Sequence, residues 1–359
     1  MKEYGLVLAG GGAKGVYQLG AWKAMRELGV NFSAVAGVSI GSINGALIAA
    51  DCYEEAEQLW QCASVDRGVR IAKDLKDPEN LFSLRNATVL FKEIVRNGGI
   101  DASPTKELLL QFIDEKKVRE SNVKFGMVTF SLSEFAPLEI FLDKIPDGEL
   151  VDYLLASSKV PGVSKIGPEG ERYLDGGVYD NAPIGLLRKN GFNRIIVVDI
   201  SSMKGIGHKS DMTNAEFIYI RPFEIDDLGA AFDFSDEMYE KRLKMGYLDT
   251  RKAFGYLSGR QFYFECATFR EMLDEFGADA LEQLETLGYE LGMERFKVYG
   301  KDKFLYSLKE KYTEYQKEQQ LKEEESEQKF YAPILKKLPK FNSDNEYAEA
   351  VAVLDNIII

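Results

Sequence analysis

The 359-residue sequence predicts an α/β fold with a mostly parallel central sheet flanked by helices. Strand-like and helix-like segments alternate through the first 200 residues, which is typical of parallel strands joined by helical crossovers. Two predicted strands end in glycine-rich turns, beginning at Gly10 and Gly37, and each turn leads into a predicted helix. Hydrophobic residues make up 45% of the chain and charged residues 29%, which is typical of a folded globular protein.

Hydrophobic periodicity defines the individual elements. Apolar residues recur at every third position over 16–28, which predicts an amphipathic helix that ends at Gly29. Residues 43–50 are small and apolar and predict a buried helix. The predicted strands are 6–9, 34–38, 124–132, 138–142 and 194–199, and 151–158 is a predicted short helix.

The alternation of strand-like and helix-like segments ends at about residue 204. We expect residues 1–204 to form one domain and residues 205–359 to form a mainly helical extension, with one last strand of the core near 217–221. Residues 309–329 are dense in Lys and Glu, which predicts a solvated helix with ion pairs between successive turns.

Charge and composition exclude several classes of function. The formal net charge of −13 argues against a nucleic-acid-binding protein, because neutralising phosphates needs a basic surface. The first apolar segment is too short for a signal peptide, and no stretch approaches the roughly 20 apolar residues of a membrane span. We therefore expect a cytoplasmic protein. The spacing of Cys52, Cys62 and Cys266 fits no metal site, so we expect buried reduced thiols and no metal.

The segment Gly37-Val38-Ser39-Ile40-Gly41 matches the G-x-S-x-G pattern of a nucleophile elbow. It lies between a predicted strand and a predicted buried helix, which is the context that this motif requires. A sharp turn there lifts the Ser39 hydroxyl away from the sheet, while Gly37 and Gly41 keep the neighbouring backbone clear. The context favours a nucleophilic Ser39 over a serine in an ordinary turn.

The other glycine-rich turn reads Gly10-Gly11-Gly12-Ala13-Lys14-Gly15. Glycines let backbone N–H groups face a ligand, and the following helix adds the positive end of its dipole. The turn also fits the G-x-G-x-x-G pattern of a dinucleotide site. Such a site needs an acidic residue at the end of the second strand, where this chain has the elbow around Ser39 instead. A nucleotide-binding protein is therefore disfavoured.

A serine nucleophile needs a base, and the chain has one histidine, His208. The order Ser39, Asp175, His208 matches the order of an α/β-hydrolase triad. However, His208 lies in the polar segment 204–211, which offers no evident means of holding an imidazole in place. A base must be positioned before its pKa matters, so we expect His208 to be a solvent-exposed loop residue.

Asp175 is the other candidate for the base. It follows a predicted strand at 172–174 and precedes Gly176 and Gly177. An acid at the carboxyl end of a strand, followed by glycines, leaves its carboxylate open on the side where α/β sheets place their chemistry. Aspartate before glycine is also common in ordinary turns, so the residues alone leave both interpretations open.

Together, these segments resemble the patatin-like phospholipase family. The resemblance extends over roughly residues 4–200, with further similarity at 245–254. It implies a patatin-like three-layer α/β sandwich, with residues 1–204 as the catalytic domain. The stretches that carry it, besides the three glycine-containing turns, are 80–84, 99–101, 156–163 and 173–183.

The resemblance also implies a Ser–Asp dyad without histidine, with Ser39 as nucleophile and Asp175 as base. In this scheme the backbone of Gly10, Gly11 and Gly12 forms the oxyanion hole. The supporting motif residues are Lys14, Gly15, Gly37, Gly41, Gly176 and Gly177. Lys14 departs from the family, which often has Arg there, and supplies a point charge where Arg supplies a planar fork.

The implied activity is that of a lipid acyl hydrolase, similar to phospholipase A or a lysophospholipase. Its substrate would be an acyl glycerolipid or phospholipid, met in transient contact with a membrane surface, through an acyl-enzyme and without cofactor. An acyltransferase using the same Ser39 is an alternative, as is a non-catalytic lipid-binding protein on a patatin core. The oligomeric state is open.

We predict that His208→Ala retains lipid hydrolysis, because the implied dyad uses no imidazole. Acyl release from a panel of lipids, compared between wild type and the variant, measures this directly. A loss of several orders of magnitude would restore the triad with His208 as the base.

Overall fold

The computed structural model describes residues 3–66, 103–131, 134–158, 173–201, 212–328 and 347–357. The chain forms two compact units, Met1–Ala253 and Phe254–Ile359. The first unit extends beyond residue 204, where the sequence pattern places the domain boundary. His208 and the segments 80–84 and 99–101 lie outside the described residues.

A seven-stranded sheet forms the centre of the first unit as far as it is described. Its strands are β1 (Glu3–Leu8), β2 (Asn31–Val38), β3 (Lys124–Ser131), β4 (Ala136–Phe141), β5 (Tyr173–Asp175), β6 (Arg194–Val198) and β7 (Glu216–Ile220). The order is β4-β3-β2-β1-β6-β7, with β5 paired to β3. Strands β4 and β5 run antiparallel to β3, and the other neighbours are parallel. The predicted mostly parallel sheet is confirmed, and β7 is the strand expected near 217–221.

Helices cover both faces of this sheet. They are α1 (Val16–Glu27), α2 (Ile40–Ala49), α3 (Tyr53–Asp66), α4 (Ser103–Phe112), α5 (Glu115–Glu120), α6 (Leu150–Ser157), α7 (Ile184–Lys189) and α8 (Asp236–Ala253). Val7 of β1 belongs to a core cluster with Leu187 of α7. A Cβ placed on Gly45 of α2 would lie 3.7 Å from a side-chain carbon of Leu8, the next residue along β1. Successive residues of a strand point to opposite faces, so α7 and α2 lie on opposite sides.

The second unit is mainly helical, as predicted. Its helices are α9 (Cys266–Phe276), α10 (Ala278–Glu290), α11 (Lys301–Gln328) and α12 (Ala348–Asp355). A small sheet that the sequence pattern does not predict joins β8 (Leu257–Ser258), β9 (Tyr263–Glu265) and β10 (Val298–Tyr299) in the order β10-β9-β8. Strands of two or three residues are too short to show a periodicity. Edge-to-face aromatic contacts, such as Phe262 on Phe304 at 5.2 Å between ring centroids, occupy the core of this unit.

None of the helices in the described ranges has the length and apolarity that crossing a membrane requires. Across the same ranges, no cluster of three or more His, Cys, Asp or Glu residues is placed to hold a metal ion. All three cysteines are free. Cys52 is buried, but Cys62 is exposed and Cys266 is partly exposed, so the expectation of buried thiols is wrong for these two.

Helices α1 and α8 cross at two glycines. A Cβ on Gly20 would lie 1.9 Å from the carbonyl oxygen of Leu243, and a Cβ on Gly246 would lie 1.9 Å from the carbonyl oxygen of Tyr17. The buried Tyr17 hydroxyl donates to Asp249 Oδ2 at 2.7 Å beside this crossing. The crossing fixes α8 against α1, the helix that begins where the first glycine-rich turn ends.

We predict that Gly246→Ala lowers the free energy of unfolding of the first unit by about 2 kcal/mol or more, because overpacking forces the two backbones apart. This loss exceeds the gain of about 1 kcal/mol in helix propensity. Both tryptophans, Trp22 and Trp60, lie in the first unit, so denaturant unfolding followed by tryptophan fluorescence reports on it selectively. The control is Lys244→Ala, at an exposed position on the same helix of the first unit. Equal stabilities of Gly246→Ala and wild type would contradict the close crossing.

Candidate active site

Ser39 occupies a strained turn between β2 and α2. Its backbone has φ 54° and ψ −130°, a conformation that costs a non-glycine residue about 1–3 kcal/mol. The flanking residues explain how the turn closes. A Cβ on Gly37 would lie 2.1 Å from the carbonyl oxygen of Gly41, and a Cβ on Gly41 would lie 2.3 Å from that of Leu8. Only glycine fits at both positions, so the motif predicted from the sequence is explained by close backbone packing.

A buried serine fixes the elbow to the neighbouring strand. The Ser39 amide donates to Ser157 Oγ at 2.9 Å, and Ser157 Oγ donates to the Val128 carbonyl at 2.7 Å. Ser157 lies at the end of α6 and is fully buried. In the sequence it stands out only through the family resemblance, because its partner Ser39 lies 118 residues away.

Strand pairing brings Asp175 beside Ser39. The ladder between β2 and β3 ends at the pair Val38↔Val128, and the ladder between β5 and β3 includes the next pair, Thr129↔Asp175. Strand β5 therefore pairs with β3 from the point at which β2 ends. This pairing places Asp175 next to Val38 and so next to the Ser39 turn. A Cβ on Gly176 would lie 2.3 Å from the Val128 carbonyl oxygen, so glycine is required where β5 meets β3.

The Asp175 carboxylate accepts the Gly177 amide at 2.8 Å on Oδ1, and the Ser39 side chain lies close enough to affect its pKa. Burial raises the pKa of Asp175 to about 6, although the hydrogen bonds from Ser39 and Gly177 act to lower it. An aspartate with this pKa is a stronger base than a solvated one and is still ionised at neutral pH.

The first glycine-rich turn approaches Ser39 from β1. A Cβ on Gly10 would lie 3.1 Å from Ser39 Cβ and 2.6 Å from Asn181 Oδ1. Asn181 also pairs with the turn through its backbone, since the Gly10 amide donates to the Asn181 carbonyl at 3.2 Å. Gly12 has φ +59°, and its Cβ would lie 2.4 Å from the Ala231 carbonyl oxygen. The close approaches at Gly10 and Gly12 account for the choice of glycine.

Some main-chain amides of this turn already donate hydrogen bonds within the protein, and others are available to a ligand. The Ala13 amide donates to the Ala231 carbonyl at 2.7 Å, and the Lys14 amide donates to the Gly11 carbonyl at 3.3 Å. Within the ranges that the structure describes, the amides of Gly11 and Gly12 have no assigned acceptor. These two amides are thus available to an anion bound at the turn.

A buried polar network holds the ends of the turn. Gln18 Nε2 donates to the Ala9 carbonyl at 2.6 Å, and Asn44 Nδ2 donates to the Gly15 carbonyl at 3.0 Å. Asn44 also bonds Gln18 Oε1 at 2.8 Å and accepts Trp60 Nε1 at 3.0 Å. Neither Gln18 nor Asn44 belongs to a sequence motif. The available signal is a polar residue within an apolar helix face, since buried polar groups need partners.

The remaining motif residues serve packing around these groups. A Cβ on Gly15 would lie 2.6 Å from Ile40 Cγ1, and a Cβ on Gly177 would lie 2.6 Å from Asn181 Oδ1. The Lys14 side chain is buried, and its pKa is lowered by burial and by the charge of Arg242, while Asp226 opposes the shift. Lys14 is therefore an internal residue of the turn region.

Comparisons with known proteins identify a matching family and several similar chains. A sequence model of the family described as patatin-like phospholipase matches residues 6–188, just over half of the chain. The chain is 28% identical over 208 residues to "Lysophospholipase nte1" of Aspergillus terreus, a match covering 56% of this chain and 12% of that protein. It is 28% identical over 206 residues to "Lysophospholipase NTE1" of Cryptococcus neoformans, covering 56% and 11%. The chain therefore spans a small part of the length of these relatives.

Among solved structures, VipD from Legionella pneumophila matches with 14% identity and a TM-score of 0.43, over 86% of this chain and 80% of that one. The family match carries the assignment, because it spans both glycine-rich turns, Ser39 and Asp175. The chain belongs to the patatin-like phospholipase family.

Proposed function

We propose that this protein is a serine lipid acyl hydrolase with activity of the phospholipase A or lysophospholipase type. The observation that carries the proposal is the strained Ser39 elbow with the Asp175 carboxylate placed beside it by strand pairing. Two relatives named as lysophospholipases, each matched over 56% of this chain, support an ester of an acyl glycerolipid or phospholipid as substrate.

The first half-reaction forms an acyl-enzyme. Asp175 accepts the Ser39 hydroxyl proton as Ser39 Oγ attacks the ester carbonyl. The Gly11 and Gly12 amides stabilise the tetrahedral oxyanion, a contribution that can reach about 3–4 kcal/mol for one donor. Collapse of the intermediate breaks the ester C–O bond, and the leaving alcohol takes the proton from Asp175. The Gly10 amide, already bonded to Asn181, contributes by holding the turn against Ser39.

The second half-reaction releases the fatty acid. Asp175, ionised again, removes a proton from a water molecule that attacks the acyl carbonyl. The same two amides stabilise the second oxyanion, and Ser39 leaves with the proton held by Asp175. No step in this sequence uses His208.

We expect the protein to meet its substrate in transient contact with a lipid surface. The net charge of −13 gives no electrostatic attraction to anionic lipids, so we expect apolar contacts of the acyl chain to supply the binding. We accordingly expect activity on neutral and zwitterionic lipid surfaces that does not depend on anionic lipid.

We predict that Ser39→Ala lowers acyl release by about a thousandfold or more, since losing the nucleophile of a catalytic pair removes most of the rate. Fluorophosphonate labelling of Ser39 in the wild type should disappear in the variant, while the unfolding midpoint stays unchanged. The matched control is Ser33→Ala, at the opposite end of the same strand β2, which should keep both activity and labelling. Retained hydrolysis in Ser39→Ala would remove the proposed nucleophile. Failure of the folded wild type to label would favour a non-catalytic lipid-binding protein.

We predict that kcat/KM is constant above a midpoint of about pH 6 and falls tenfold per pH unit below it, because only ionised Asp175 can accept the proton. A water-soluble short-chain ester avoids effects of pH on lipid packing. Asp175→Asn should abolish activity, whereas Asp143→Asn, at an exposed site, should keep the profile. A midpoint near 7 that vanishes in His208→Ala would instead identify the histidine as the base.

A further inference from the structure

Arg242 is a buried cation whose bonds go to main-chain carbonyls. It projects from α8 with 1% of its surface exposed. Its Nε donates to the Leu228 carbonyl at 2.8 Å, its Nη2 donates to the Ala230 carbonyl at 2.8 Å, and its Nη1 donates to the Asp233 carbonyl. These three acceptors belong to the segment 228–234, which we call the brace loop. One guanidinium thus holds the whole loop. Its rigid, planar set of donors suits this role better than the ammonium group of a lysine would.

Arg242 also reaches the glycine-rich turn. Its Nη1 donates to the Ala13 carbonyl at 3.3 Å. The brace loop bonds the same residue from the other side, because the Ala13 amide donates to the Ala231 carbonyl at 2.7 Å. Both main-chain polar groups of Ala13 are therefore held by Arg242 or by the loop that Arg242 fixes.

Ala13 directly follows the two available amides of the turn. On the other side of those amides, Gly10 is anchored to Asn181 through its own amide, at 3.2 Å. Gly11 and Gly12 thus lie between two fixed residues, and Gly12 packs directly against the Ala231 carbonyl. The brace loop supplies one of the two anchors.

Successive glycines are conformationally free unless neighbours restrain them. Oxyanion stabilisation depends on donors that are already in place when charge develops, within about 2.7–3.1 Å of the oxyanion. A turn of three glycines therefore needs anchors from outside its own sequence if it is to serve as an oxyanion hole.

We propose that Arg242 and the brace loop are positioning elements that preorganise the Gly11 and Gly12 amides for the oxyanion. The inference rests on the proposed function, since it assigns a role within that same site. Arg242 does not act as a ligand for a lipid phosphate, because its guanidinium is buried and four of its five N–H donors are directed to main-chain carbonyls.

The test compares Arg242→Met and Arg242→Lys with wild type on a short soluble ester. We expect Arg242→Met to lower kcat by about a hundredfold while KM changes less than about threefold, since the lost interaction acts mainly in the transition state. Arg242→Lys should recover part of kcat, because an ammonium keeps the charge and some of the donors. Lys244→Met, at an exposed position on the same helix, is the control and should resemble wild type.

A second readout separates positioning from stability. A trifluoromethyl ketone that adds to Ser39 forms a tetrahedral oxyanion, whereas the matching methyl ketone reports on ground-state binding. In Arg242→Met we expect the first inhibitor to weaken by a factor similar to the loss in kcat, and the second to bind as in wild type. Unchanged kcat and inhibitor ratio in the folded variant would overturn the proposal.

If Arg242→Met does not fold, the variant Gly229→Ala tests the proposal instead. Gly229 has φ +63°, so alanine strains the brace loop while the residues of the glycine-rich turn and Arg242 itself stay unsubstituted. The added Cβ would lie 3.6 Å from Arg242 Nη2, an ordinary contact distance. The same loss of kcat and of trifluoromethyl ketone affinity is expected, and wild-type values would contradict the proposal. Wild-type hydrolysis and its loss in Ser39→Ala, measured alongside, test the proposed function separately.

Discussion

The candidate site depends on how closely main-chain segments approach one another at the carboxyl edge of the sheet. The turn at Ser39 closes only because Gly37 and Gly41 bring backbone atoms to within about 2 Å of where a Cβ would be. Gly10 from β1 and Gly176 after β5 pack in the same way, against Ser39 Cβ and the Val128 carbonyl. This packing brings a hydroxyl, a carboxylate and a row of amides together.

The same close packing also buries Asp175 and raises its pKa. A solvated aspartate, with a pKa near 3.9, would be a poor base at neutral pH. Burial beside Ser39 raises the pKa of Asp175 to about 6, while the hydrogen bond from the Gly177 amide keeps the carboxylate oriented. The proposed dyad thus obtains from burial part of what a triad obtains from an imidazole. The strained Ser39 backbone is tolerated because Ser157 and the flanking strands hold it from several sides.

Local patterns are enough to predict the strand and helix on either side of Ser39. The motif around Ser39 is contiguous, its strand and helix show clear periodicity, and the steric reasons for Gly37 and Gly41 act within a few residues or on the next strand. Asp175 was different, because its partnership with Ser39 arises from the pairing of β5 with β3, which no local pattern encodes. The proposed role of Asp175 as the base is expected only from the family resemblance. Neither local patterns nor the family resemblance indicates a role for Arg242. It bonds Ala13 across 229 residues, and the sequence pattern assigns its region to a separate extension.

A crystal structure of the wild-type protein labelled by a fluorophosphonate tests the central claim most directly. We expect phosphorus bonded to Ser39 Oγ, with the phosphoryl oxygen accepting hydrogen bonds from the Gly11 and Gly12 amides at about 2.7–3.1 Å. Asp175 should lie beside Ser39, with no histidine in contact with either residue. A phosphonate attached elsewhere, a phosphoryl oxygen directed away from the glycine-rich turn, or His208 bonded to Ser39 would contradict it.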